Sequence, residues 1–214
     1  MTKPLNKYID HTMLKPFATE ADIEKLCAQA KEYDFASVCI NPCYVALAAK
    51  LLENTDVKIC TVIGFPLGAN TTHIKAAETD QAYFDGCDEF DMVINVGQLK
   101  AKNYAYVKRD IEAVVNAARG KLVKVIIETF YLTDEEIATV SKIAAEAGAH
   151  YVKTCTGFND GVATVEAVKI MKQSIPENVC VKASAGIRNK EQALALIEAG
   201  ADRIGTSAGA AIVG

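Results

Sequence analysis

Lysine residues lie near the ends of two short apolar segments of this sequence, where an amine can carry out chemistry. Lys153 lies within the segment 150–154, and Lys182 lies within the segment 179–183. A lysine there either binds an anion as a plain cation or attacks a carbonyl carbon to form an imine. A second ammonium nearby disfavours the protonated form of the first. This argument leaves open which of the two lysines is the nucleophile.

The segments that carry these lysines belong to a series of short runs rich in β-branched residues, separated by longer amphipathic stretches. The predicted strands cover eight ranges: 8–12, 36–41, 57–63, 88–95, 122–128, 150–154, 179–183 and 202–206. Alternation of strands and helices builds a parallel sheet. Eight units in 214 residues favour closure. We therefore predict the α/β class and a TIM-type (β/α)8 barrel, with a single domain over residues 1–214.

Polar residues at fixed spacings mark the starts of several helices between these strands. Thr19 with Asp22, and Thr133 with Glu136, have the spacing of a capping box. In this motif the first side chain and the fourth satisfy each other's backbone N–H groups. Asn189 with Gln192 predicts a third helix start. These boundaries place the helices directly after the strand ends that carry the polar residues.

Side chains alternate across a strand, so each predicted strand has two faces. In 88–95, Phe90 and Met92 lie on an apolar face, and Asp91 lies on the other. The apolar face must meet the helices, so the polar face points into the barrel. The same sorting places seven polar residues inside: Asp10, Asp91, Asn95, Lys124, Glu128, Lys153 and Lys182. Buried charges must pair or line a wet cavity. A purely structural ion-pair network is the alternative, but perturbed ionisable groups cluster at functional sites.

Loops rich in small and hydroxyl-bearing residues follow three of the predicted strands. They cover 154–158, 183–188 and 205–209. Small residues let backbone N–H groups approach an anion, and the loops after strands 7 and 8 form the usual phosphate site of such barrels. Each loop alone also fits an ordinary tight turn. Together, on one face of the barrel, they predict a phosphate site.

Composition excludes several classes of partner. A net charge of −4 and a pI of about 5.5 argue against nucleic acid, because phosphate backbones require a basic face. No run approaches the ~18 apolar residues of a membrane span, and the polar start lacks the apolar core of a signal peptide. The seven cysteines are an odd number, which indicates reduced thiols in a cytoplasmic protein. Cys39 and Cys43 have metal-like spacing, but no second Cys/His pair follows, so we predict no metal.

The motifs together resemble the deoxyribose-phosphate aldolase family, whose members are lysine-dependent (class I) aldolases with a barrel fold. The matching segments span nearly the whole chain in order: 9–12, 36–42, 62–68, 88–95, 123–129, 151–154 with 156–157, 181–184 with 186–188, and 203–207. Four positions depart from the expected pattern: Cys155, Phe158, Ala185 and Ala208. These departures concern the phosphate site and leave the carbon chemistry untouched.

The resemblance implies reversible aldol cleavage of 2-deoxy-D-ribose 5-phosphate to D-glyceraldehyde 3-phosphate and acetaldehyde, in deoxyribonucleotide catabolism. It implies Lys153 as the Schiff-base lysine, with Asp91 and Lys182 relaying protons. The implied lining residues are Asp10, Thr12, Cys39, Asn95 and Lys124, and the implied phosphate-binding residues are Thr156, Gly157, Ser184, Gly186, Gly205 and Ser207.

The same resemblance implies a sugar-phosphate substrate and no cofactor, and it leaves a homodimer open. Two alternatives remain at this point. One is another imine-forming aldolase of transaldolase type, and the other is a non-catalytic barrel that only binds sugar phosphates.

Overall fold

The strands of the chain form a closed, all-parallel barrel in a computed structural model that describes residues 3–214. The eight strands are β1 Ile9–Met13, β2 Ser37–Ile40, β3 Lys58–Ile63, β4 Glu89–Val93, β5 Leu122–Ile126, β6 Tyr151–Lys153, β7 Cys180–Ser184 and β8 Arg203–Thr206. Each strand pairs with its sequence neighbours, and β8 pairs with β1 to close the barrel. The predicted (β/α)8 fold is therefore confirmed.

Helices follow the strands and cover the outside of the barrel. They are α1 Glu20–Glu32, α2 Val45–Leu51, α3 Thr72–Phe84, α4 Val96–Lys100, α5 Tyr104–Ala117, α6 Asp134–Glu146, α7 Val165–Ser174, α8 Lys190–Glu198 and α9 Gly209–Val213. Short 3-10 turns cover Leu5–Tyr8, Pro42–Tyr44 and Thr129–Tyr131. None of the helices within residues 3–214 combines the length and the apolar character that crossing a membrane would require.

The predicted helix starts are confirmed by side-chain hydrogen bonds. Thr19 and Thr133 each accept from the backbone N–H three residues on, and the carboxylates of Asp22 and Glu136 accept in return. Asn189 caps α8 by accepting from Gln192 N. Each such cap typically stabilises a helix by about 1 kcal/mol. The caps thus fix where the chain leaves each loop and enters a helix.

Two predicted strands end two residues earlier than expected, and both ends lie at the mouth of the barrel. Strand β5 stops at Ile126, because Glu128 adopts the left-handed region with φ +56° and turns the chain out of the sheet. Strand β4 stops at Val93, because Asn95 becomes the N-cap of α4 and accepts from Gln98 N. These early ends turn inward-facing residues into rim residues.

The apolar core lies between the barrel and the helices, as the alternation of the strands predicts. Phe90, Met92, Val123 and Val125 are fully buried there. Burying each side chain of this size contributes about 1.5–3 kcal/mol. The interior of the barrel holds the charged side chains instead, so the helix-facing core provides the apolar stability while the interior is left for polar chemistry.

Candidate active site

A cluster of charged side chains fills the centre of the barrel, with Asp91 of β4 at its middle. Oδ2 of Asp91 accepts hydrogen bonds from Lys153 Nζ at 2.8 Å and from Lys182 Nζ at 2.7 Å. Oδ1 accepts from Lys124 Nζ at 2.8 Å. All four side chains are nearly or fully inaccessible to solvent. The structure thus brings the three predicted lysines together around one carboxylate.

A second layer of ion pairs lies deeper in the barrel and supports the first. Asp10 Oδ2 lies 2.5 Å from Lys182 Nζ, and Asp10 Oδ1 lies 2.5 Å from Arg203 Nη1. Ser37 Oγ also donates to Asp10 Oδ1, at 2.6 Å. Glu89 lies 2.6 Å from Lys124 Nζ and 3.1 Å from Arg203 Nη1. Asp10 is therefore held by Arg203 and Ser37 with its other oxygen facing Lys182.

This cluster contains one more cationic side chain than carboxylates. It contains three carboxylates, Asp10, Glu89 and Asp91, and four cationic side chains, Lys124, Lys153, Lys182 and Arg203. An uncompensated charge is costly to bury, so a cluster that has lost one proton is favoured.

The number of carboxylate contacts separates the three lysines of the cluster. Within residues 3–214, Lys124 contacts three carboxylates and Lys182 contacts two. Lys153 contacts Asp91 alone. Lys153 is thus the lysine whose ammonium form has the fewest contacts to stabilise it.

The surroundings of the other groups hold them in their charged forms. Burial acts to raise the pKa of Asp91, but the ammonium groups of Lys124, Lys153 and Lys182 outweigh it and hold that pKa well below its usual range. Burial acts to lower the pKa of Lys182, but Asp10 and Asp91 outweigh it and raise that pKa above its usual value. Lys124 and Arg203 follow the same pattern, with raised pKa values. Lys182 is therefore an ammonium beside an aspartate carboxylate.

A cavity of about 680 Å³ opens from this cluster to solvent at the carboxyl ends of β6, β7, β8 and β1. Lys153 lines it, whereas Lys124 and Lys182 lie below its floor. Thr12 lines it as well, and so do all six predicted phosphate-binding residues, Thr156, Gly157, Ser184, Gly186, Gly205 and Ser207. The exposed cations Lys15 and Arg188 lie on its wall. The cavity thus joins the side chain of Lys153 to a rim that carries positive charge.

Two of the predicted phosphate-binding hydroxyls are engaged within the protein. Thr156 donates both its N–H and its hydroxyl to Glu128 Oε2, at 3.1 and 2.5 Å. Ser184 Oγ donates to the carbonyl of Cys155 at 2.7 Å. These two residues shape the loops, whereas Ser207 is exposed at the cavity.

Gly205 has a different role in the geometry of the cavity. A Cβ on this residue would lie 3.0 Å from Cε of Lys182 and 2.9 Å from Cβ of Ser184. The missing side chain leaves room for the Lys182 side chain to reach Asp91.

The remaining predicted lining residues lie at different depths. Cys39 is buried inside the barrel, with its sulfur close to Cys60 and Asp91. Asn95 lies at the rim as the cap of α4. Cys43, the other half of the metal-like spacing, points to solvent.

The donor sets near Cys60 do not suit a metal ion. Cys39, Cys60 and Asp91 form one candidate set, and Asp10, Cys60 and Glu89 form another. Lys124 Nζ lies 3.2 Å from Cys60 Sγ and 2.8 Å from Asp91. A metal ion in either set would therefore lie next to a second positive charge, which would repel it.

Several residues of the site were missed by the sequence-based selection. Glu89 lies two residues before Asp91 on the same face of β4, and Arg203 opens β8. The alternation rule that selected Asp91 was sufficient to find Glu89. Lys15 and Arg188 lie in loops, where no periodicity points to them.

Comparison with known proteins agrees with this arrangement. A sequence profile described as DeoC/LacD family aldolase matches residues 5–213. A deoxyribose-phosphate aldolase of Clostridium novyi is 60% identical over 210 residues, covering 98% of this chain and 95% of that protein. One from Enterococcus faecalis is 58% identical over 210 residues, with 98% and 96% covered.

A solved structure shares the fold as well as the sequence. A deoxyribose phosphate aldolase from Aeropyrum pernix, described as a tetramer, superposes with a TM-score of 0.91 at 33% identity. The superposition covers 98% of this chain and 89% of that one. The chain therefore belongs to the DeoC/LacD family of aldolases.

Proposed function

We propose that the chain catalyses reversible aldol cleavage of 2-deoxy-D-ribose 5-phosphate to D-glyceraldehyde 3-phosphate and acetaldehyde, within deoxyribonucleotide catabolism. The observation that carries this proposal is Lys153, a lysine with a single carboxylate contact at the floor of an open cavity. The identity of about 60% to curated deoxyribose-phosphate aldolases supports the substrate. A class I aldolase requires an uncharged amine at this place.

The proposed reaction begins when the Lys153 amine adds to the aldehyde carbon of the open-chain sugar. Loss of water gives an iminium, which withdraws the electron pair of the bond between C2 and C3 as that bond breaks. The C3 hydroxyl loses its proton and becomes the aldehyde of D-glyceraldehyde 3-phosphate. The remaining enamine takes a proton at C2, and hydrolysis releases acetaldehyde and restores the amine. The iminium accepts the electron pair of the breaking bond, so we propose that the reaction needs no metal and no cofactor.

The neighbours of Lys153 suit these steps. The Asp91 carboxylate lies 2.8 Å from Lys153 Nζ, where it stabilises the positive iminium. Lys182 remains an ammonium beside the same carboxylate, at 2.7 Å, and is positioned to supply the proton. The phosphate is proposed to bind at the 184–188 and 205–209 loops, with Arg188 and Lys15 adding positive charge at the wall of the cavity.

The test of the proposed function is reductive trapping. Incubation with acetaldehyde and borohydride is expected to add one reduced two-carbon adduct, located at Lys153 by peptide mass spectrometry. Cleavage of deoxyribose 5-phosphate is measured in the same preparation. An adduct located only at Lys182 or Lys124 would contradict the assignment. Binding of the sugar phosphate without any adduct would indicate a non-catalytic protein.

We further propose that the protein works in the cytoplasm, which is consistent with seven free cysteines, five of them buried. A homodimer is also proposed. The description of the Aeropyrum relative as a tetramer supports association between copies of such chains. Size-exclusion chromatography with light scattering measures the oligomeric state directly.

A further inference from the structure

A second cavity lies next to the one that contains Lys153, and one wall of it carries an unpaired buried carboxylate oxygen. It has a volume of about 150 Å³ and lies at the carboxyl ends of β4, β5 and β6. Most of its walls are apolar, including Pro66, Leu67, Val93 and Val96. Glu128 lines it as well. The function described so far assigns no role to this cavity or to Glu128.

The two oxygens of Glu128 have different surroundings. Oε2 accepts from Thr156 N at 3.1 Å and from Thr156 Oγ1 at 2.5 Å. Oε1 is buried and has no hydrogen-bond partner, in a side chain that is only 3% exposed. Buried carboxylate oxygens without a partner are costly. Thr156 thus fixes the carboxylate in place, with the Cys155 thiol beside it, and Oε1 remains able to accept a further hydrogen bond.

The position of Glu128 puts this acceptor beside the path of a substrate bound at Lys153. Ile126 of β5 pairs in register with Lys153 of β6, and Glu128 follows two residues later, at the mouth of the barrel. Thr156 and Phe158 line both cavities. The two cavities therefore meet at the loop that follows Lys153, so a ligand bound to Lys153 lies close to the smaller cavity.

The chemistry of the cavity defines the group that completes it. An acceptor oxygen needs a donor, and apolar walls do not suit a second charge. The donors that an uncharged part of a sugar phosphate offers are its hydroxyl groups. We propose that Glu128 is a specificity-determining residue. Its Oε1 accepts a hydrogen bond from the hydroxyl next to the carbonyl of the acceptor aldehyde, which is the C4 hydroxyl of the intact sugar. This inference rests on the proposed function.

The test compares two acceptor aldehydes that differ only in that hydroxyl. Aldol addition of acetaldehyde is measured with D-glyceraldehyde 3-phosphate and with 3-oxopropyl phosphate, which lacks it. The parent protein is expected to prefer the hydroxylated acceptor by roughly tenfold or more in kcat/KM. The reason is that 3-oxopropyl phosphate cannot form the hydrogen bond to the charged carboxylate of Glu128. A ratio near one in the parent protein overturns the inference without any variant.

The variant Glu128→Gln tests the residue itself. Its carbonyl oxygen can still accept from Thr156, while its amide presents a donor to the cavity in place of the acceptor. The preference for the hydroxylated acceptor is expected to fall roughly tenfold, with the acetaldehyde adduct at Lys153 unchanged. The matched control is Glu135→Gln on the exposed face of α6, which is expected to keep the ratio. An equal loss with both acceptors overturns the inference and leaves Glu128 as a support for Thr156.

The outcomes also separate this inference from the proposed function. If the parent protein joins acetaldehyde to neither aldehyde, the proposed function fails and the inference fails with it. If the addition occurs and the preference is absent, or unaffected by Glu128→Gln, only the inference fails. Should Glu128→Gln not fold, Glu128→Asp replaces it. Its shorter side chain cannot reach Thr156 and the cavity together, so it is expected to lower the same ratio.

Discussion

Asp91 connects two lysines that differ in their contacts, and this difference supports the separate roles proposed for them. Lys153 and Lys182 both bond Oδ2 of Asp91, at 2.8 and 2.7 Å, so a single oxygen lies between the two side-chain nitrogens. Lys182 gains a second carboxylate contact from Asp10, and Lys153 gains none within residues 3–214. The proposed roles, Lys182 as the acid and Lys153 as the nucleophile, follow this difference in contacts.

Replacing Lys182 by Met is expected to change the pH dependence of activity as well as its size. The variant removes the ammonium group that shares Oδ2 of Asp91 with Lys153, and a neighbouring positive charge disfavours the protonated form of an amine. Activity and borohydride trapping at pH 7 are expected to fall further than at pH 9. The measurement is the pH profile of kcat/KM. An equal loss at both pH values would leave Lys182 as a proton relay only.

At the scale of the element, the strand ends and loops decide which side chains reach the cluster. Gly205 in β8 is one such place, because a Cβ there would lie 3.0 Å from Cε of Lys182. Ala185 in the loop after β7 is another, because it adopts φ +83°, a conformation that favours glycine. Both positions show that the backbone, rather than a functional group, sets part of the site.

The variant Gly205→Ala is expected to lower kcat on the order of a hundredfold, because a displacement of about 1 Å at a catalytic group costs that much. KM for the phosphorylated sugar is expected to change less than kcat, since Ser207 and Arg188 are not among the nearest contacts of the added Cβ. Gly97→Ala in α4, where the nearest contact would be an ordinary 3.4 Å, serves as the control. A rise in KM at unchanged kcat would show that Gly205 contributes to phosphate binding instead.

The variant Ala185→Gly is expected to stabilise the protein. The left-handed region costs an alanine roughly 1–2 kcal/mol, which exceeds the 0.5–1 kcal/mol of extra chain entropy that glycine loses. We expect Tm to rise by about 2–4 °C for each kcal/mol gained. The matched control Ala195→Gly, on the exposed face of α8, is expected to lower Tm because glycine weakens a helix interior. A lower Tm in Ala185→Gly would contradict this account.

At the scale of the whole molecule, the buried cluster is a pH-dependent part of the fold. The pKa values of Asp10 and Asp91 are held below their usual range, against the effect of burial, by the cations around them. Carboxylates with lowered pKa values contribute stability above the unfolded pKa of about 4, and that stability is lost as pH falls towards the folded pKa. Lys124 and Lys182 have raised pKa values, so their contribution is present below about pH 10 and is lost above it.

The free energy of unfolding is therefore expected to decline below about pH 4, as urea unfolding at several pH values measures. Asp10→Asn is expected to cost about 3–5 kcal/mol at pH 7, because Arg203 and Lys182 lose a buried partner. The free energy of unfolding of this variant is expected to fall less steeply with decreasing pH, because it lacks one carboxylate that takes up a proton on unfolding. Asp34→Asn, in the exposed pair with Lys7, is expected to change stability by less than about 1 kcal/mol. An unchanged acid slope in Asp10→Asn would contradict this role of Asp10.

What local sequence determined is the set of strands, the helix caps and the inward face of each strand. Alternation along β4 separates Asp91 from Phe90 and Met92 whatever the rest of the chain does. Thr133 and Glu136 are three residues apart, so their capping box forms within one turn of helix. Such features depend on neighbours in the chain, and this is why they were predictable, together with the family and the identity of most site residues.

Only the tertiary structure decided which of these side chains meet. Asp91 and Lys182 are 91 residues apart in the chain, and their contact depends on the closure of the barrel and the register of its strands. The hydrogen bond from the Thr156 hydroxyl to Glu128 also joins residues that follow different strands. It engages a hydroxyl that was predicted to bind phosphate, and Oε1 of Glu128 is left unpaired. The alternation of side chains along a strand predicts which way each of them points. The choice of partner, and with it the single contact that sets Lys153 apart, depends on distances that arise only when the eight strands close.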